Sequence, residues 1–443
     1  MNFSRAFALA TLSSALWAAD SPPALQLSLK QAVELALAPE GNARLQLVEE
    51  LARQAGIRVA QARSALLPQV ESSVGQQNQT RNLAAFGIQI SLPIPGFQFP
   101  ERVGPFNTFD ARVTAAQSVF DLSSIRRFQA SRASHQAADA ETASARDQVA
   151  AQVAKLYLGA LAAEARLEAA RADLELAEAL ERLAINQKAA GTGTAIEVTR
   201  AKTQAANQRQ RLLVAENDRR RARLELLRAT GLDLSTEFVL TDRLTCAPID
   251  AVTLEQARAA ALGARADLKA QQGRQASARL SYTATRFERL PSLVGFADYG
   301  SIGSSLNHAL PTRTYGLSLK VPLFDGGRRD ARRAETASLL RQEQIKTGDL
   351  RRQIELEIRL ALDALRSTEE QARVAEEGLT LAEEEVAQAQ RRYQAGVTGS
   401  LEVTDAQTRL ERARENRINA LVAYNAARLD LGQALGAVRQ MIP

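Results

Sequence analysis

Residues 190–204 read AGTGTAIEVTRAKTQ, and residues 395–409 read AGVTGSLEVTDAQTR. Seven of the fifteen positions are identical at a constant offset of 205 residues. The same offset carries Gly231 in LELLRATG onto Gly436 in LDLGQALG. Upstream, Val119-Phe120-Asp121 matches Leu323-Phe324-Asp325, Leu67-Pro68 matches Leu290-Pro291, and Ser28-Leu29-Lys30-Gln31-Ala32 matches Thr253-Leu254-Glu255-Gln256-Ala257. The chain is two copies of one unit in the same order, and a repeat of this kind sets the architecture. The division predicted is residues 20–231, a linker at 232–252, and residues 253–443.

The breakers say what each copy is made of. Residues 107–247 and 323–442 contain no proline and are rich in Ala, Leu, Glu, Gln and Arg, which favour helix. Residues 123–190 predict one helix of about 68 residues, roughly 100 Å long, with a returning helix at 194–230. The second copy predicts the same hairpin at 327–395 and 400–435. Leu174, Ala177, Leu180 and Ala184 recur at helical spacing, as do Leu379, Ala382, Val386 and Ala389. Shorter helices, residues 40–66 and 265–289, precede the two Leu-Pro pairs. A short helix and a returning helix together nearly equal one long helix, so the two stack end to end beside it. The waist where they meet takes the small helices 28–37 and 253–262.

Between short and long helices the period changes from helical to two. Phe109, Ala111, Val113 and Ala115 alternate with Asp110, Arg112 and Thr114. Tyr315, Leu317, Leu319, Val321 and Leu323 alternate with Gly316, Ser318 and Lys320. The facing strands are 69–77 and 292–301. Strands this long, apolar on one face and polar on the other, are the signature of a membrane β-barrel. A soluble sandwich would need a second sheet, and the pattern holds none. Four strands cannot close, and an open edge is not tolerated in lipid. Two copies give eight strands, whose interior side chains fill; three give twelve and an aqueous bore. The expectation is a mainly α protein with four β-strands per protomer, completing a twelve-stranded barrel in a homotrimer.

Composition narrows function. The single cysteine, Cys246, excludes an internal disulfide, and two histidines, His135 and His308, leave little for metal or His-based catalysis. No nucleophile–base pair or cofactor loop is present, so neither cofactor nor catalytic residue is expected. The net charge of +6 is spread as mixed-sign pairs, which is a solvated helix surface and not a nucleic-acid footprint. Arg5, the apolar run 6–17 and Ala18-Ala19 predict a signal peptide over residues 1–19.

Two stretches, RRYQAGVTGSLEVTDAQTRL at 391–410 with the final ALG, and VPLFDGGRR at 321–329, resemble the TolC-type outer-membrane efflux proteins. The resemblance covers nearly the whole chain after residue 20. It implies a trimeric duct in the bacterial outer membrane, continued by a periplasmic α-barrel. It also implies partners: a periplasmic adaptor, an inner-membrane transporter of RND, ABC or MFS type, and outer-membrane lipid. The alternative class is a periplasmic coiled-coil adaptor or scaffold without a pore.

The resemblance also assigns sites. The turns Gly191-Thr192-Gly193 and Gly396-Val397-Thr398 match the tips where adaptors dock. Glu402 and Asp405, three apart on one helix face, match acids that ring the closed periplasmic mouth. Tyr393 and Glu197 match other members of the closing network. The family's usual first acid is Asp, where this chain has Glu402. Its best-known pattern has arginine where this chain has Thr398, so an ion pair from position 398 to Glu197 is excluded. Asp121 and Asp325 are expected to cap the long helices. Residues 78–108 are expected to form a long Pro- and Phe-rich loop.

Overall fold

The computed structural model describes residues 25–87, 100–247 and 252–442. The expected signal peptide and the centre of the Pro- and Phe-rich loop lie outside the described residues. Each long hairpin is present. In the first copy α3 (Leu122–Ala189) returns through α4 (Ala195–Thr230). In the second, α7 (Arg328–Gln394) returns through α8 (Ser400–Leu435). Much of the buried face of α3 is alanine, including Ala150, Ala154 and Ala160. Side chains this small let helix axes approach closely. No described helix is long and apolar enough to cross a membrane.

The shorter helices are α1 (Leu29–Leu37), α2 (Ala43–Ser64), α5 (Leu254–Ala264), α6 (Ala266–Phe287) and α9 (Val438–Met441). The repeated SLKQ and TLEQ sequences are capping boxes. Ser28 Oγ accepts from Gln31 N at 3.2 Å while Gln31 Oε1 accepts from Ser28 N at 3.0 Å. Thr253 and Gln256 repeat this at 3.3 and 3.1 Å. Each exchange satisfies two helix-end donors.

Short and returning helices do meet end to end. Gly231 closes α4 and touches Gly41, just before α2: a Cβ on Gly231 would stand 1.9 Å from the Gly41 carbonyl oxygen. Asn42 then caps α2 and donates to Ala229 O at 3.1 Å. In the second copy Gly436 closes α8 against Arg265, the residue preceding α6. There the buried Arg265 guanidinium reaches Asp267, Glu357 and Ala434 O. An amide joins one pair of helices and an arginine the other.

Around these joints lies the waist. Leu27, Val33, Val149, Val153, Leu226 and Phe238 form its first core. Ala257, Leu268, Ile354, Ile358 and Leu431 form the second. Two short strands not expected from the sequence, β1 (Leu25–Leu27) and β4 (Phe238–Leu240), pair in parallel across the first core. Tyr157 Oη donates to Leu27 O at 2.9 Å and holds the pair on α3. The linker at 232–252 therefore contains a strand.

The remaining strands are β2 (Gln69–Asn82), β3 (Arg102–Phe120), β5 (Ser292–Gly303) and β6 (Leu310–Lys320). They form one antiparallel sheet in the order β2-β3-β5-β6. The register puts Val70, Ala115, Ala297 and Tyr315 in one row and Glu71, Thr114, Asp298 and Thr314 in the next. Facing residues alternate side by side, so one face is largely apolar and the other carries the polar row. Three expectations change. The first hairpin is longer than 69–77 with 109–119: β2 continues to Asn82 and β3 begins at Arg102, so residues 78–82 and 102–108 are strand and not loop. The last strand stops at Lys320, leaving Val321 and Leu323 outside it, because Pro322 has no N–H to continue a ladder. Asp121 does cap α3, accepting from Ser123 N at 2.9 Å, but Gly327 takes the capping position of α7. Asp325 reaches instead to Arg329 N at 3.1 Å.

Candidate functional site

Residues 190–204 and 395–409 lie at the tips of the two long hairpins. In each, the chain leaves its helix through a glycine with positive φ, 76° at Gly191 and 70° at Gly396. An L side chain at such a position clashes with its own backbone, whereas glycine does not. The freed amides fold back on the helix. Thr192 N and Gly193 N both donate to Gln187 O at 3.0 Å, and Val397 N donates to Arg392 O at 3.0 Å. These bonds satisfy the last carbonyls of each helix. The tips present apolar groups outward: Ile196, Val397 and Leu401 are 60%, 70% and 67% exposed.

Glu197 sits in the first turn of α4. It accepts from Thr194 N at 2.8 Å and from Thr194 Oγ1 at 3.0 Å. It also faces the other tip, 4.0 Å from the position a Cβ on Gly399 would take. Hydrogen bonds from the Thr194 backbone, opposed by slight burial and helped by the Thr194 hydroxyl and the Ser400 backbone, hold its carboxyl below the usual glutamate range. Glu197 thus ties the α4 cap to the start of α8.

Glu402 and Asp405 share one face of α8, and each meets a cation of its own chain. Thr398 Oγ1 donates to Glu402 Oε2 at 2.5 Å, and Arg392 lies 3.5 Å from the same carboxyl. Asp405 pairs with Arg409 at 2.6 Å, and Arg409 also binds Glu385 at 2.8 Å. Sequence reading missed these arginines. The Asp405–Arg409 spacing of four was a readable signal; Arg392 with Glu402 crosses a turn and was not. Tyr393 turns the other way. It is buried among Val386, Ala389, Val403 and Ala406, and its hydroxyl has no hydrogen-bond partner among the described residues. Within one protomer it makes no bond to Glu197.

Among the described residues no group of three or more His, Cys, Asp or Glu could hold a metal ion.

The sequence profile of the outer membrane efflux proteins matches residues 35–232 and 257–437. The chain belongs to the outer membrane efflux protein family. Membership in this family places it in the outer membrane. Among curated members, it is similar to the pyoverdine export outer membrane protein OpmQ of Pseudomonas aeruginosa, with 29% identity over 303 residues. That match covers 64% of this chain and 60% of the relative, so the chain spans about three-fifths of the relative's length. Two solved structures share the fold. The CmeC outer membrane channel of Campylobacter jejuni aligns with TM-score 0.81 and 18% identity over 93% of this chain and 86% of that one. The outer membrane protein VceC of Vibrio cholerae aligns with TM-score 0.77 and 20% identity over 92% and 96%. These two outer membrane proteins thus share the overall fold of this chain.

Proposed function

We propose that this protein is the exit duct of an efflux or secretion system and works as a homotrimer. The observation that carries the reading is the four-stranded sheet with both edges, β2 and β6, unpaired. Along the order β2-β3-β5-β6 the strands alternate in direction, so β6 of one copy runs antiparallel to β2 of the next. Three copies close a twelve-stranded wall with its apolar face to lipid and its polar face to a bore. Below it, the paired long helices continue the wall into the periplasm.

The tips are the docking surface for a periplasmic adaptor. Their turns are rigid, glycine-fixed and flanked by exposed Ile196, Val397 and Leu401. An inner-membrane transporter of RND, ABC or MFS type supplies the cargo through that adaptor. Glu402 and Asp405, with Tyr393 and Glu197 behind them, form the periplasmic gate. The OpmQ relatives are named for pyoverdine export, so pyoverdine is the first cargo to test. The chain carries out transport and no catalysis.

Reconstitution into planar bilayers tests the duct. The reading expects discrete conductance steps with cation preference. Protein that inserts without conductance contradicts it.

A further inference from the structure

Between the hairpins, just behind the tips, four helices enclose a small space. Ala177, Leu180 and Ala184 come from α3, Ala201 and Gln204 from α4, Tyr393 from α7, and Ser400, Val403, Thr404 and Gln407 from α8. Its volume is about 20 Å³. A single water molecule requires about 10–15 Å³ by the same measure, and two to four polar partners.

Six buried polar side-chain atoms among the described residues lack a partner, and three of them, Tyr393 Oη, Ser400 Oγ and Gln407 Oε1, belong to residues that line this one space. Tyr393 and Gln407 are each 4% exposed. An orphaned buried polar group costs about 1–3 kcal/mol, and such groups are normally satisfied. Coincidence of three orphans at one cavity therefore calls for an occupant. No charged side chain lines the space, so neither a cation nor an anion finds a counter-charge there. The volume admits nothing larger than water.

We propose that this is a water site: one buried water molecule donates to Gln407 Oε1, accepts from Tyr393 Oη and exchanges a hydrogen bond with Ser400 Oγ. Burial, reinforced by Glu197, holds the Tyr393 phenol above its ordinary pKa, so Oη stays a donor. The water joins the last turn of α7 to the first two turns of α8. Ser400, Val403, Thr404 and Gln407 make up the inward face of α8, while Glu402 and Asp405 take another. The water therefore fixes how far α8, with its acid-bearing face, is rotated against α7. The site does not depend on the duct reading, since it lies within one chain.

Two measurements on the full-length protein test it. A crystal structure at a resolution that shows ordered solvent is expected to place one water within hydrogen-bonding distance of all three oxygens; a dry cavity, or a side-chain rotation that pairs the groups directly, overturns the site. Amide hydrogen exchange at 390–394 and 400–407 gives a second readout. Tyr393→Phe and Gln407→Leu are each expected to speed exchange by roughly fivefold or more, and the double variant no more than the larger single effect. Groups that share a water act as a unit. Independent, multiplying effects, or no effect of either single change, overturn the proposal. Ser400→Ala, the mildest change, checks that the effect is not a folding defect and is expected to follow the same pattern.

Discussion

Thr398 donates to Glu402 at 2.5 Å, inside a single protomer. Where the family resemblance places an arginine directed at the other hairpin, this chain has a hydroxyl directed at its own acid. The neighbouring Asp405 is likewise held by Arg409. The α7–α8 tip therefore carries its acids already partnered within its own chain, and in the proposed trimer the field at the mouth is set by acids and arginines together.

A charge test follows from that pairing. Removing Arg409 leaves Asp405 and Glu385 without their shared cation. In planar bilayers, Arg409→Ala is expected to be blocked by divalent cations at about two- to fivefold lower concentration than wild type, the scale of an exposed ion pair. Glu402→Gln with Asp405→Asn is expected to move the block the other way and to reduce cation preference, with thermal stability little changed. Identical block in all three proteins would place the acids away from the conducting path.

At the turns the constraint is conformational. Gly191 and Gly396 have open space where a side chain would point, so Gly191→Val or Gly396→Val meets backbone strain alone, about 1–2 kcal/mol. Each variant is expected to assemble normally, with transport lost because the docking tip is reshaped. Normal transport in both would show that the tips are not the adaptor contact.

Glu197 supplies a pH signature. Its folded-state pKa is lowered, so its contribution to the tip is present above the ordinary glutamate range and is lost as pH falls through the depressed value. After correction for intrinsic rates, exchange at the Thr194 and Ser400 amides is expected to quicken on such acidification. Glu197→Gln keeps the cap without titrating and is expected to show no such quickening. The same acceleration in the Gln variant would assign it to another group.

At the waist the test is one of stability. Arg265→Met leaves Asp267 and Glu357 without their cation and Ala434 O without its donor. Breaking a fully buried pair costs about 3–5 kcal/mol. These carboxylates are 30% and 36% exposed, which lowers the expected loss to about 2 kcal/mol, read as a fall in the denaturation midpoint. An unchanged midpoint would mean that the joint is held by its packing alone.

Much of the fold was legible because its elements obey simple periods. Long proline-free runs rich in Ala, Leu, Glu, Gln and Arg favour helix, and residues 109–119 alternate cleanly enough to be read as a strand. The strand extensions at 78–82 and 102–106 were not legible, because GQQNQTRN is polar on both faces and shows no alternation. The pair formed by Leu25–Leu27 and Phe238–Leu240 is too short for any period, and its partners are 213 residues apart. At the site, the glycine turns and the acids could be named from sequence. Arg392 beside Glu402 and the inward turn of Tyr393 could not, since both depend on how the two helices of one hairpin lie against each other.

The central claim, a wall completed only by three copies, is tested most directly by the mass of the detergent-purified protein, determined by native mass spectrometry. The account predicts a single species of three mature chains that stays together on mild heating. A stable monomer or dimer would leave the edges of β2 and β6 unpaired in the membrane and would contradict it.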